Sequence, residues 1–492
     1  VGSIRKQSIL ISVFAYLGVG LGYVNVVLLF PRFFSPEEFG LTRVLVAAVG
    51  ILSQFALFGM VNSVIRFFPF FKDKDAGHNG LLSRALALGL VGIGIMSILL
   101  FLFKPYIVLH YLERSALVAD FYILLFPYLV FEVLFQVFRA YARALHFAVI
   151  DVIYREILVR FLTMALILLT YFGVIDFEQF MWLFVGQYGL TAIGMAAYLL
   201  SKKELHLGWT SGFLTPELKK DIIHYSGFTI LSGVGSVILI NIDVLMIQQM
   251  VGLDQVAFYA VAFYIVAVIN IPRNAIGNIA VPIISDAWKR NDMAEIQSLY
   301  EKTAINQLLI GVLLFIGIWA NHETLFYILP EEYANGKWVL FFVGIARLID
   351  VGFGINGGIM TNSPYYRFDT YAGFVLIFVT IVANLIFIPP YGISGAAIAT
   401  GISLFFMNFS RFIVLKWKYN LNPFSYRTLL VLVLALGSYG ISTFVPQLEN
   451  VWLDLIVRSA VICVVFIPLT IVLKLSVDGN KFLQEIVQKV RK

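Results

Sequence analysis

The sequence predicts an all-α polytopic membrane protein with 14 transmembrane helices. They form two six-helix lobes related by a pseudo-two-fold axis along the membrane normal, followed by two extra C-terminal helices. Three observations carry this. Of 492 residues, 60% are hydrophobic and only 13% charged, whereas a soluble fold needs roughly 25% charged residues for its surface. Fourteen apolar runs approach the roughly 20 residues that a helix needs to cross a bilayer. Basic residues alternate between the loops, as the positive-inside rule requires. The composition, with a mean hydropathy of +0.89, excludes a soluble enzyme, a secreted disulfide scaffold and a nucleic-acid binder. A single cysteine, Cys463, leaves no intrachain disulfide.

The elements follow in order. Span 1 (8–31) is too long for the apolar core of a signal peptide, lacks a small-residue cleavage site and leads straight into another span. Spans 2 to 6 cover 41–65, 82–103, 120–142, 155–175 and 180–200. Spans 7 to 12 cover 225–250, 256–282, 303–320, 338–361, 370–388 and 392–415, and the last two 427–446 and 452–474. The runs are continuous rather than alternating, which excludes a β-barrel.

An offset near 217 superposes the turn Pro36-Glu37-Glu38-Phe39-Gly40 on Leu253-Asp254-Gln255-Val256-Ala257 and gives the two lobes. The expected organisation is an N-lobe (1–201), a cytoplasmic linker (202–224), a C-lobe (225–418), the extra helices (419–475) and a basic cytoplasmic tail (476–492) along the inner leaflet. In the linker, Thr215-Pro216-Glu217 reads as the start of an interfacial helix: a cap, Pro at the first position and an acid in the first turn. Of 35 Lys and Arg, 27 fall on the side shared by both termini and 5 opposite. The expectation is therefore a plasma (cell inner) membrane protein with both termini cytoplasmic. Three arginines, Arg273, Arg347 and Arg458, lie within spans.

Polar groups inside spans are costly and mark cavities or helix contacts. In span 4, Glu132, Gln136, Arg139 and Arg143 share one helical stripe. In span 8, Asn270, Asn274 and Asn278 form a row beside Arg273, next to Pro272, which should kink the helix. Span 2 carries Arg43 and Gln54 on one face, and span 7 carries Asp243. Span 10 places Arg347 three residues before Asp350, ahead of a glycine cluster from Gly352 to Gly358. The functional reading is an anion-binding cavity, since guanidinium stays charged and pairs bidentately with phosphate. Its candidate lining is Arg273, Arg43, Arg347, Asn270, Asn274, Asn278, Gln54, Gln136 and Arg139. Against it stand snorkelling for Arg139 and Arg143, internal pairing for Glu132, an Arg347–Asp350 clamp, and a structural role for Arg458. The aromatic content is accounted for by packing and interfacial belts.

Catalytic signatures do not appear. Gly336-Lys337 is no nucleotide-binding loop, and no His-Glu-x-x-His or cysteine set offers a metal site. Asp73-Lys74-Asp75 has glycosyltransferase-like spacing but sits in a short charged loop. Outside loops of about 16 residues (104–119 and 321–337) are too small for a membrane glycosyltransferase or polymerase. No catalytic residue, cofactor or bound metal is expected.

The 6+6+2 plan, the stretch Asn241-Ile242-Asp243-Val244-Leu245-Met246-Ile247 through Val256-Ala257-Phe258-Tyr259 to the Arg273 helix, and the Phe39-Gly40-Leu41 turn resemble Wzx-type polysaccharide flippases of the multidrug/oligosaccharidyl-lipid/polysaccharide exporter superfamily. Ala257 stands where that family carries a glycine. The resemblance implies a monomeric flippase moving an undecaprenyl-diphosphate-linked oligosaccharide to the outer leaflet by alternating access, among membrane lipids and without nucleic acid. Asp243, Asp350 and Glu132 are then candidates for coupling to H+ or Na+. Alternatives are a lipid II flippase and a cation-coupled multidrug exporter of the same superfamily.

Overall fold

The computed structural model describes residues 2–112, 115–210, 212–476 and 480. Arg114 and the tail from Lys481 to Lys492 lie outside the described residues, as do the side chains of Arg5 and Lys6. Every regular element described is helical, and the chain divides into two compact units, Val1–Ala257 and Phe258–Lys492.

The first unit contains α1 (Gly2–Tyr23), which runs through a π-helical turn (Val24–Leu29) into α2 (Phe30–Phe33). Next come α3 (Pro36–Ala56), α4 (Met60–Phe71), α5 (Leu81–Leu112), α6 (Ala116–Asp120), α7 (Leu125–Ala144), and α8 (Ala148–Val152). A second π-helical segment (Ile153–Leu158) leads to α9 (Val159–Tyr171), then α10 (Phe177–Ser201) and α11 (Pro216–Met250). Helix starts follow local chemistry. The Ser35 hydroxyl accepts from the Glu38 amide while the Glu38 carboxylate takes the Ser35 amide at 2.9 Å, with Pro36 as the first helical residue of α3. Asp176 and Gln179 repeat this box at α10.

Span 2, expected to run to residue 65, ends at Ala56. Phe58 (φ 47°) and Gly59 (φ 71°) take left-handed conformations, and a Cβ on Gly59 would sit 2.4 Å from the Ser226 carbonyl. The glycine permits close approach of α11, which Ser63–Ser226 (2.7 Å) and Thr229 to Gly59 O (3.3 Å) then tie down. Helix α11 thus packs on α3 and α4, so the first unit reaches Ala257 rather than stopping before the 202–224 linker. Thr215 caps α11 through Leu218 N–H at 3.2 Å, as its sequence indicates. The segment is not a separate interfacial helix, however. Between Leu218 and Ser226 there is no Gly or Pro, and the helix propagates directly into span 7.

α12 (Leu253–Val266) straddles the unit boundary. A 3₁₀ turn (Ala267–Ile269), α13 (Asn270–Lys289), α14 (Met293–Ala320), α15 (His322–Tyr327), α16 (Lys337–Gly352) and α17 (Asn356–Asn362) follow. α18 (Tyr366–Tyr419), α19 (Tyr426–Thr443) and α20 (Val451–Val472) complete the second unit. The 3₁₀ turn lies just before Pro272, whose missing N–H leaves Val268 O without its i+4 donor.

By length and apolarity ten described helices qualify as spans, or up to twelve with two bent pairs, against the expected count of 14. Two places account for the difference. Helix α18 has 54 residues, which would measure about 80 Å if straight. Yet the hydroxyls of Thr380 and Ser403, 23 residues apart, stand 2.8 Å from each other. It is a helical hairpin that reverses at Gly392 (φ 56°) after Pro389-Pro390, and its arms are the expected spans 11 and 12. The fifth expected span is cut by the second π-helical segment, leaving 13 residues in α9.

Candidate functional site

In the first unit the α7 stripe forms as its spacing dictates. Both Glu132 carboxylate oxygens accept from Arg155 Nη1, at 2.9 and 3.0 Å. Gln136 donates to Glu132 (2.9 Å) and to the Ser53 hydroxyl (3.3 Å), and Gln54 donates to Gln136 at 3.5 Å. One turn on, Arg139 and Arg143 converge on the buried Asp151 of α8, each at 2.5 Å. The Tyr128 and Tyr188 rings lie 4.4 Å apart, and the charges of Arg155, Glu132 and Arg43 all act on the Tyr188 hydroxyl. Glu132, Gln136, Arg139 and Gln54 are therefore brought together, with Arg43 half-buried nearby. Asp243 is buried on α11.

Sequence reasoning missed Arg155 and Asp151, since both fall in what reads as an orientation-setting charged loop. The signal that could have found them is the count of acids in that loop, Asp151 and Glu156 beside Arg155 and Arg160. Arg155 sits in the π-helical segment, an irregularity often found at functional sites.

In the second unit, Asp350 accepts from Arg273 (3.2 Å) and from Asn408 Nδ2 (3.0 Å), and Asn356 donates to Asn408 O at 3.1 Å. The Asp350 carboxylate is thus held by α13 and by the second arm of the hairpin. Arg347 lies with its guanidinium 5.0 Å from the Phe263 ring centroid. Arg273 Nε and Asn270 Oδ1 are buried atoms with no hydrogen-bond partner among the described residues. Asn274 and Asn278 continue the predicted row but are exposed. The glycine cluster breaks the helix: Gly354 (φ 60°) brings the backbone so close that a Cβ would lie 2.9 Å from Ala304 N. A second pair, Arg411 with Asp369 at 2.6 and 3.0 Å, closes the hairpin and was not anticipated. Arg458 is held by Asp454 and Ser442 O, the structural role its position suggests.

One pattern recurs. The acidic side chain is buried and the arginine side chain is more exposed: Glu132 and Arg155 side chains are 5% and 36% exposed, Asp350 and Arg273 6% and 32%. A buried carboxylate offsets the desolvation of the cation and fixes its direction. The fork of five N–H donors retains capacity for further acceptors.

The chain matches the sequence profile of a family described as polysaccharide biosynthesis protein over residues 4–288, more than half its length. It is 22% identical over 272 residues to the "Probable low-salt glycan biosynthesis flippase Agl15" of Haloferax volcanii, a match covering 52% of this chain and 57% of that protein. The chain thus spans little more than half the length of that curated relative. Its fold is similar to that of the lipid II flippase MurJ in an inward closed conformation, with TM-score 0.75, 13% identity, and coverage of 97% of this chain and 100% of that one. It is also similar to an inward-facing multidrug resistance MATE family transporter of the MOP superfamily, with TM-score 0.59, 15% identity, and coverage of 83% and 94%.

Proposed function

The chain belongs to the polysaccharide biosynthesis protein family, and from that premise we propose that it is a flippase for a lipid-linked sugar. The cargo is an undecaprenyl-diphosphate-linked oligosaccharide, carried by alternating access from the cytoplasmic to the outer leaflet of the plasma membrane for surface polysaccharide assembly. The protein acts as a monomer without catalysing a covalent step, and both termini face the cytoplasm.

The observation that carries this reading is the recurring partly exposed arginine side chain paired with a buried carboxylate, at Arg155–Glu132 and Arg273–Asp350. A diphosphate is an acceptor that such forks bind bidentately. Arg43 and Arg139, with Gln54 and Gln136, are the candidate phosphate contacts of the first unit, and Arg273 and Arg347, with the asparagine row, those of the second. When the diphosphate takes the guanidinium, Glu132 or Asp350 loses its counter-charge and becomes a site for H+ or Na+. Asp243 is the third coupling candidate.

The test is transport of a lipid-linked oligosaccharide by the full chain in liposomes, with lipid II as a second cargo. Wild type transports the oligosaccharide and Arg273→Ala does not. Transport that persists in Arg273→Ala overturns the headgroup role, and preference for lipid II overturns the cargo.

A further inference from the structure

A cavity of about 650 Å³ opens in the second unit where the C-terminal ends of α14 and α19 meet α15 and the start of α20. It shares no residue with either charged cluster. Its volume falls in the range of small-molecule sites, about 300–1,000 Å³. We infer that it is a carbohydrate-binding site that holds the glycan portion of the cargo, an inference that rests on the transport reading above.

Three features select this chemistry. First, the lining offers ring faces in Tyr439 and in Tyr327, which is 74% exposed. Aromatic side chains present a broad apolar face beside a polar edge, which suits a sugar ring with its C–H face on one side and hydroxyls at its rim.

Second, the polar groups fit hydroxyls and disfavour phosphate. The cavity's cation, Arg458, is neutralised by a fork to Asp454 (3.0 and 3.2 Å) and also donates to Ser442 O. Glu323 adds an open carboxylate at the rim and accepts from Gln447 at 2.7 Å. No net positive charge is left for a diphosphate.

Third, an acceptor awaits a donor. His322 stacks on Trp319 with ring centroids 4.6 Å apart, and its Nδ1–H donates to Trp319 O at 2.7 Å. Burial, together with the charge of Lys337, lowers the His322 pKa below the ordinary imidazole value, against the opposing pull of the Trp319 bond and Glu323. The neutral ring then carries its lone pair on Nε2, a buried atom with no hydrogen-bond partner among the described residues. The nearest acidic group, Glu323 at 3.9 Å, is itself an acceptor. A sugar hydroxyl supplies the missing donor.

The probe is the water-soluble oligosaccharide released by mild acid from the lipid-linked glycan of cells that make the protein. It is titrated against the full chain in nanodiscs, with saturation-transfer NMR on the sugar protons and tryptophan fluorescence as readouts. Wild type binds it. Tyr327→Ala and Gln447→Ala, both at exposed positions whose loss leaves folding intact, each weaken binding about tenfold. Absence of binding by wild type, unchanged affinity in both variants, or displacement of the sugar by inorganic pyrophosphate overturns the site. Liposome transport by wild type is scored separately. Sugar binding that depends on Tyr327 and Gln447 without any transport keeps the site and sinks the flippase reading. Transport with no such dependence does the reverse.

Discussion

Arg155 reaches across 23 residues to give one nitrogen, Nη1, to both oxygens of Glu132, and Gln136 completes the carboxylate's coordination from one helical turn away. Glu132 is buried, so removing its counter-charge leaves an ion with only an amide for company. Arg155→Met should lower stability by about 3–5 kcal/mol. The paired replacement Glu132→Gln with Arg155→Met should recover most of that, because neither charge is then stranded. Thermal unfolding in detergent of Glu132→Gln, Arg155→Met and the double variant closes the cycle. Additive losses would show that the pair is not coupled.

The geometry at Arg273 separates charge from shape. Its bond to Asp350 runs through Nη2, leaving the planar fork to address a second acceptor. Arg273→Lys keeps the charge but offers a point cation instead of a fork. The expected outcome is transport reduced at least about tenfold with the amount of folded protein unchanged. Near-wild-type transport by the lysine variant would show that charge alone suffices at this position.

What was legible in the sequence was whatever repeats within one helix. The stripe Glu132, Gln136, Arg139 follows from a 3.6-residue period, and the 3₁₀ turn before Pro272 follows from a missing N–H. What was not legible was the partner brought in from another element. Asp151 and Arg155 look like loop charges until α8 and the π-helical segment that follows it bring them to α7. Asp369 and Arg411 lie 42 residues apart and meet only because Gly392 reverses α18. Hydropathy likewise could not see that Phe58 and Gly59 end α3 early, because backbone conformation there answers to α11 rather than to local apolarity. The asparagine row shows the converse: periodicity placed Asn274 and Asn278 on one face but could not say that the face is open.

The turns matched by the internal repeat also touch. A Cβ built on Gly40 would lie 2.0 Å from Leu253 O, a backbone atom that cannot swing away. Gly437, in α19, has nothing within 4 Å of the same position. Gly40→Ala should therefore destabilise the protein by about 1–3 kcal/mol through overpacking. Gly437→Ala should be neutral or stabilising by up to about 1 kcal/mol from helix propensity. Melting temperatures of the two variants decide it, and equal shifts would remove the close-approach argument.

Glu204 ties the segment after α10 to the loop before α5. It accepts from His78 Nε2 at 2.9 Å and pairs with Lys74 at 3.2 Å. The Asp73 amide donates to His78 Nδ1, which fixes the proton on Nε2 facing Glu204. Burial pushes the Glu204 carboxyl up, but the hydrogen bonds from His78 and Lys74 and the attraction of the Lys74 charge outweigh it, so its pKa lies below the ordinary carboxylate value. A lowered folded-state pKa means that the tie contributes fully above the unfolded value, about 4.3. It is lost as pH falls through the lower folded value. At pH 7, Glu204→Gln should cost about 1.5–3 kcal/mol, the range for hydrogen bonds to charged groups, and should speed proteolytic nicking near Trp209. As the pH is lowered past 4, on the order of the unfolded carboxylate pKa, wild type should converge on the variant in both melting temperature and nicking rate. A gap between them that stays constant from neutral pH down through that window would show that the ionised carboxylate does not hold this segment in place.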